Sequence, residues 1–134
     1  MIIADTNLVA HALIPGPGRE EARAVLRKDA EWAAPLLWRS ELRNVLALYV
    51  RRKEMTLDAA TLVMREAESL MRGREYQVPS ADVLSLAAAS GCSAYDCEFV
   101  ALARDLGVPL VTSDRAILRA FPRLARSLRE FAGK

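Results

Sequence analysis

The chain begins with a short apolar run that leads directly into an acid. Ile2, Ile3 and Ala4 follow Met1 without polar alternation, and Asp5 comes next. A continuous apolar run of this kind predicts a strand buried on both faces, as in parallel sheets. Asp5 would then lie at the edge where open α/β sheets bind ligands. Because an apolar run followed by Asp also opens many ordinary turns, the meaning of Asp5 depends on which other acids reach that edge.

Short apolar segments and helical patterns alternate along the rest of the chain. Periodicity and capping residues predict helices over residues 8–14, 19–28, 36–52, 56–73, 80–90, 96–107 and 114–120. Strands are predicted over residues 1–4, 31–35, 76–78 and 108–112, with an edge strand and a final turn within 123–134. Crossovers longer than about a dozen residues suit parallel strands. We therefore predict one α/β domain spanning residues 1–134, a three-layer α/β/α sandwich with a short parallel sheet.

Composition excludes several classes of protein. No apolar stretch approaches the roughly 18 residues of a membrane span, and no signal peptide is visible, so we expect a cytoplasmic protein without membrane contact. The two cysteines predict a reduced pair rather than a disulfide framework. Net charge is +2, from 19 Lys and Arg against 17 Asp and Glu. If several acids converge in one pocket, the remaining surface is basic and suits a polyanionic partner.

Four acids are expected at one edge of the sheet, because the crossover helices of such a fold begin where the strands end. Asp5 ends the first strand, and Glu41 lies near the start of the helix that follows the second. Asp96 begins its own helix, and Asp114 follows the strand that ends at Thr112. Each acid has an ordinary alternative: Glu41 could complement a helix dipole, whereas Asp96 and Asp114 could be N-caps.

Taken together, the four acids indicate a metal site. Crowded carboxylates repel one another and tend to protonate unless a cation lies among them, and an all-oxygen ligand set selects Mg²⁺ or Mn²⁺ over zinc. Such an ion activates water for attack on phosphate esters. The sequence lacks a phosphate-binding P-loop, and its single histidine, His11, predicted to be structural or exposed, offers no Ser-His-Asp set.

Several segments resemble a PIN-domain ribonuclease, and within that family the VapC-type toxins of type II toxin–antitoxin pairs. The resemblance covers nearly the whole chain in order, and Cys97 departs from the small residue usual there. The segments are Ile2-Ile3-Ala4-Asp5-Thr6-Asn7, Glu41 with Leu42 and Val45, Tyr95-Asp96-Cys97-Glu98-Phe99-Val100-Ala101-Leu102-Ala103, and Val111-Thr112-Ser113-Asp114.

The resemblance implies a parallel sheet ordered 3-2-1-4-5 and a Mg²⁺- or Mn²⁺-dependent endoribonuclease. It implies that Asp5, Asp96 and Asp114 bind the metal. Glu41 would complete the catalytic quartet by binding metal or positioning the nucleophilic water. Asn7 and Thr112 would support these acids. It further implies an RNA substrate, a homodimer and a cognate antitoxin protein that occupies a groove beside the active site.

Basic residues near the acids are candidates for RNA contact. Arg39 and Arg43 flank Glu41, and Arg115 follows Asp114, although each could belong to a solvated helix face. Trp38 could stack on a base, but its helical spacing favours the core.

Three alternatives to a toxin stay open. They are an RNA-processing PIN nuclease without an antitoxin, a non-catalytic PIN-like module that binds RNA or protein, and a phosphatase of small substrates. The face formed by Met64, Leu70 and Met71 could be core or part of a partner groove.

Overall fold

The fold is known from a computed structural model that describes residues 1–133, so Lys134 of the predicted domain and tail lies outside the described residues. Within that range, five short strands form one parallel sheet. They are β1 (Ile2–Ala4), β2 (Trp32–Pro35), β3 (Glu75–Tyr76), β4 (Leu110–Val111) and β5 (Ala125–Arg126). Their order is β3-β2-β1-β4-β5, which confirms the predicted topology.

Eight helices connect and cover these strands between residues 1 and 133. They are α1 (Thr6–Leu13), α2 (Arg19–Lys28), α3 (Leu37–Arg51), α4 (Leu57–Met71), α5 (Ser80–Ser90), α6 (Ala94–Leu106), α7 (Arg115–Ala120) and α8 (Leu128–Ala132). Of the helices in this part of the chain, none has the length and apolarity needed to cross a bilayer.

The sheet is narrow and its centre is fully buried. In β1, Ile2 pairs with Trp32 of β2, and Ile3 pairs with Leu110 of β4. All three residues of β1 are inaccessible to solvent, as the unbroken apolar run predicts. Because β1 is central, the residue that follows it lies in the middle of the carboxyl edge of the sheet.

The helices that carry the candidate acids pack directly on the sheet. Helix α6 contacts β1, β2 and β4, whereas α3 and α4 contact β2. Trp32 and Trp38 are both fully buried, so Trp38 belongs to the core and is not available to stack on a base. Met71 is also fully buried, whereas Met64 and Leu70 are partly buried at the core's margin.

Two helices begin two residues earlier than predicted, and capping explains both, whereas α3, α4 and α7 each begin one residue later than predicted. Helix α6 begins at Ala94 rather than Asp96, because the Ser93 hydroxyl accepts a hydrogen bond from the Asp96 amide at 3.0 Å and so caps the helix. Helix α1 begins at Thr6, two residues earlier than predicted, because Asp5 is itself its N-cap. Helices α2 and α5 have the predicted bounds.

Candidate active site

Asp5 lies at the centre of the carboxyl edge and is held on both carboxylate oxygens. Its Oδ1 accepts a hydrogen bond from the Thr6 amide at 2.8 Å, which caps α1. Its Oδ2 accepts one from the Thr112 hydroxyl at 2.6 Å and a longer one from the Asn7 amide at 3.4 Å. Thr112 and the Asn7 side-chain amide therefore both contact Asp5, and the supporting role that the resemblance implies for them stays a prediction.

Burial makes ionisation of Asp5 unfavourable. Only 7% of the residue is exposed. The pKa of Asp5 is raised from an ordinary 3.8 to about 6, chiefly by desolvation; the hydrogen bonds from Thr112 and Thr6 oppose the rise, and the charges of Glu41 and Asp96 add to it. No cationic side chain in residues 1–133 pairs with this carboxylate. Hydrogen bonds thus hold the Asp5 carboxylate in place, and it has no cationic partner among residues 1–133.

Glu41 reaches the same edge from α3. The Thr6 hydroxyl donates a hydrogen bond to Oε1 of Glu41 at 2.7 Å. Thr6 therefore bridges two acids, since its amide holds Asp5 and its hydroxyl holds Glu41. Burial raises the pKa of Glu41, and the charges of Asp96 and Glu98 raise it further. These interactions show that Glu41 shares the site rather than serving as an isolated solvated acid.

Asp96 and Asp114 complete the row from the other side. Asp96 is the third residue of α6, and burial followed by the charge of Asp114 raises its pKa. Asp114 does cap α7, because its Oδ1 accepts from the amides of Ala116 and Ile117 at 2.8 and 3.1 Å. Both hydrogen bonds that its carboxylate accepts within residues 1–133 go to Oδ1, which leaves Oδ2 for a ligand. Asp114 can therefore cap α7 through Oδ1 and bind a ligand through Oδ2 at the same time.

Hydrogen bonds of Thr6 and Thr112 connect three acids of the row, whereas Asp96 joins the row through charge interactions with Asp5, Glu41 and Asp114. Thr6 joins Glu41 to Asp5, and Thr112 joins Asp5 to Asp114, whose amide donates to the Thr112 hydroxyl at 3.0 Å. The structure thus brings all four predicted acids to one edge.

Two participants were missed from the sequence. Thr6 carried no signal beyond its place next to Asp5. Glu98 lies two residues after Asp96, so the two side chains point to different faces of α6, yet the charge of Glu98 raises the pKa of Glu41. Glu41 comes from another helix, so the separation of Asp96 and Glu98 around α6 does not keep Glu98 away from the group.

The donor chemistry of this row suits a hard divalent cation. Its side-chain donors are oxygens, and none of its four acids forms an ion pair inside the described range. In these residues, however, no three His, Cys, Asp or Glu side chains are grouped tightly enough to hold one ion as they stand. The predicted metal site is therefore supported by chemistry and charge, and stays a prediction.

The three candidate RNA-binding arginines lie in different environments. Arg39 donates to Glu75 through Nε and Nη2, at 2.6 and 2.8 Å, and also pairs with Glu68. Its guanidinium stacks 5.6 Å from the Trp38 ring centroid. Arg39 therefore ties α3 to α4 and β3. Arg43 and Arg115 are exposed and form no ion pair within residues 1–133, so the predicted contact with RNA rests on these two.

Comparisons with known proteins agree with this architecture. The sequence is 27% identical over 126 residues to Ribonuclease VapC3 of Pyrobaculum aerophilum, covering 92% of this chain and 96% of that protein. The structure of PAE2754 from Pyrobaculum aerophilum superposes with a TM-score of 0.77 at 20% identity, covering 99% of this chain and 90% of that one. FitAcB from Neisseria gonorrhoeae superposes with a TM-score of 0.72 at 21% identity, covering 96% and 98% of the two chains.

The family assignment rests on the sequence profile as well as on the fold. The PIN domain profile matches residues 2–124, which include every strand except β5 and all four acids of the row. With the parallel sheet in the order expected for this family and the acids gathered at its carboxyl edge, the chain belongs to the PIN domain family.

Proposed function

We propose that the chain is a Mg²⁺- or Mn²⁺-dependent endoribonuclease and the toxin of a VapC-type toxin–antitoxin pair. The observation that carries this proposal is the row of four acids, three of them linked by Thr6 and Thr112, in which no acid pairs with a cation of residues 1–133. The family assignment and the name of the related Ribonuclease VapC3 give independent support.

Each acid has a defined part in this proposal. Asp5, Asp96 and Asp114 would hold the ion, which when bound supplies an activated water and offsets charge on the phosphate. Thr112 and the Thr6 amide fix the direction of the Asp5 carboxylate. Thr6 fixes Oε1 of Glu41, so the other oxygen of Glu41 is left to orient the attacking water or to bind the ion.

The substrate would be RNA held by its phosphates. Arg115 directly follows Asp114 and is the exposed cation next to the row, whereas Arg43 lies two residues after Glu41 in α3 and lines the groove against α4. Contacts of this kind are salt-dependent and carry little sequence information.

The antitoxin would occupy an apolar groove between α3 and α4. The groove has a volume of about 440 Å³, and its apolar lining includes Leu46, Val50, Leu57 and Met64. Leu57 is 70% exposed, which is unusual for a leucine beside other apolar side chains and favours a covered state. The homodimer implied by the resemblance is part of the same proposal.

The experiment is RNA cleavage by Asp96→Asn, with Glu66→Gln on the exposed face of α4 as the matched control. Asp96→Asn should abolish cleavage, keep the fold and raise the metal-free melting temperature, because it removes a repelling charge. It should also reduce the stabilisation gained from Mg²⁺ or Mn²⁺. Normal cleavage by Asp96→Asn would refute the role of Asp96.

The alternatives predict different outcomes. A non-catalytic PIN-like module would bind RNA without cutting it under any metal condition. A processing nuclease would cleave RNA but would copurify with no antitoxin protein.

A further inference from the structure

A small pocket with several polar and charged residues in its lining adjoins the acidic row on the side of α7. It has a volume of about 270 Å³ and is lined by residues from α1, α7, α8 and the start of α2. The lining residues used below are His11, Gly18, Glu21, Ser113, Arg115 and Arg129. Because these residues are far apart in sequence, the pocket is formed by the tertiary structure.

The segment that carries Asp114 joins this pocket to the row. Ser113 and Arg115 flank Asp114 in sequence and line the pocket. The Ser113 amide donates to Oδ1 of Asn7 at 3.4 Å, and Asn7 in turn donates to Asp5. A nucleic-acid strand that continues from the acids past Asp114 would therefore meet the pocket.

The pocket has an excess of positive charge. Arg129 is held by Glu21, with 3.0 Å between Nη2 and Oε1, so one cation and one anion offset each other. Arg115 is exposed and makes no ion pair or side-chain hydrogen bond with the part of the chain described. Its guanidinium is therefore available to an anionic ligand, and guanidinium groups match phosphate oxygens in geometry.

The His11 side chain lies close to the backbone of Gly18 in the pocket wall. A Cβ on Gly18 would lie 2.6 Å from Nδ1 and 2.9 Å from Cγ of His11. The imidazole thus lies directly against the backbone at position 18, and any larger residue there would displace it. An imidazole N–H in this place can donate to a phosphate oxygen.

We propose that this pocket binds the phosphate next to the scissile one in a single-stranded RNA, with Arg115 as the main contact and His11 and Ser113 as further donors. The inference rests on the proposed function, since the scissile phosphate is placed at the acidic row. An acidic protein segment could also meet Arg115, but continuity with the row favours a ligand with phosphates repeated along a strand.

The test measures binding of a fluorescently labelled single-stranded RNA of mixed sequence by anisotropy, with EDTA present and across a range of salt. Arg115→Gln should weaken binding about tenfold and reduce the log–log salt slope by about 0.7, the value for one phosphate contact with a single strand. Gly18→Ala should weaken binding about threefold by displacing His11. Arg65→Gln, which removes an exposed charge from α4, should change neither quantity.

The outcomes separate this inference from the proposed function. If Arg115→Gln and Arg65→Gln bind RNA alike, the pocket assignment is wrong even if the wild type cleaves RNA. The pocket assignment is also wrong if Arg115→Gln weakens binding of an acidic protein partner but leaves RNA binding unchanged. If Arg115 governs binding but no RNA is cleaved with Mg²⁺ or Mn²⁺, the pocket assignment stands and the proposed function fails. A wild type that binds no RNA contradicts both.

Discussion

Replacing Asp5 by Asn should change how the stability of the metal-free protein depends on pH. The pKa of Asp5 is raised from 3.8 to about 6 in the folded protein. The difference of about 2 pKa units corresponds to about 3 kcal/mol of differential interaction between the two protonation states. Because Asp5 is almost fully buried, solvent does not screen this effect strongly.

The sign follows from proton linkage. The folded state binds the Asp5 proton more tightly than the unfolded state does, so this stabilisation is complete below pH 3.8 and is lost as pH rises through about 6. Between about pH 4.5 and pH 8, Asp5 should therefore remove about 2 kcal/mol from the free energy of unfolding. An asparagine at position 5 does not titrate, so the free energy of unfolding of Asp5→Asn should lack this pH-dependent contribution.

The assay is urea unfolding in EDTA at a series of pH values for wild type, Asp5→Asn and the exposed control Glu66→Gln. Altered hydrogen bonding to Thr112 adds a constant offset of about 1 kcal/mol to Asp5→Asn without changing its pH slope. The difference between wild type and Asp5→Asn should shift by about 2 kcal/mol across this range, towards a relatively more stable variant at high pH. If the free energies of unfolding of wild type and Asp5→Asn change with pH in parallel, the argument that burial disfavours the ionised Asp5 is refuted.

Further predictions concern Thr112, Arg39 and the pairs around them. Thr112→Val should lower the free energy of unfolding by about 2 kcal/mol, because it leaves the Asp114 amide unpaired and removes a buried hydrogen bond to Asp5; urea unfolding at pH 8 tests this, and no measurable loss would contradict it. Arg39→Gln should cost about 1 to 2 kcal/mol after allowance for partial solvent screening, since it separates Glu75 and Glu68 from their cation, yet RNA affinity should stay within about twofold of wild type. Its control is Arg27→Gln, which breaks the exposed pair with Glu20 and should cost less than about 0.5 kcal/mol; equal losses in the two arginine variants would contradict the structural role of Arg39.

The sequence predicted the helices and strands that are bounded by nearby Pro, Gly and capping residues or marked by an apolar run. Helix α5 lies between Pro79 and Gly91, and α2 begins after Gly18, so breakers and caps predicted both. The apolar run of β1 predicted a central strand and placed Asp5 at the functional edge.

The missed features depend on partners distant in sequence. Arg39 meets Glu75 and Glu68 at separations of 36 and 29 residues, so no local pattern distinguishes it from a free surface arginine. The bridge from Thr6 to Glu41 spans 35 residues and depends on how α1 and α3 pack. The start of α6 differs from the prediction for a local reason. Ser93 is the N-cap, so the helix begins at Ala94, whereas the prediction began it at Asp96.

The most direct test of the account is anomalous diffraction from crystals of the protein grown with Mn²⁺. The account predicts a manganese peak at the carboxyl edge of the sheet, bound by oxygens of Asp5, Asp96 and Asp114, and its loss in Asp96→Asn. Crystals of a wild type that bound no manganese at this edge, or bound it only elsewhere, would contradict the claim that the fold gathers these acids to hold a divalent ion.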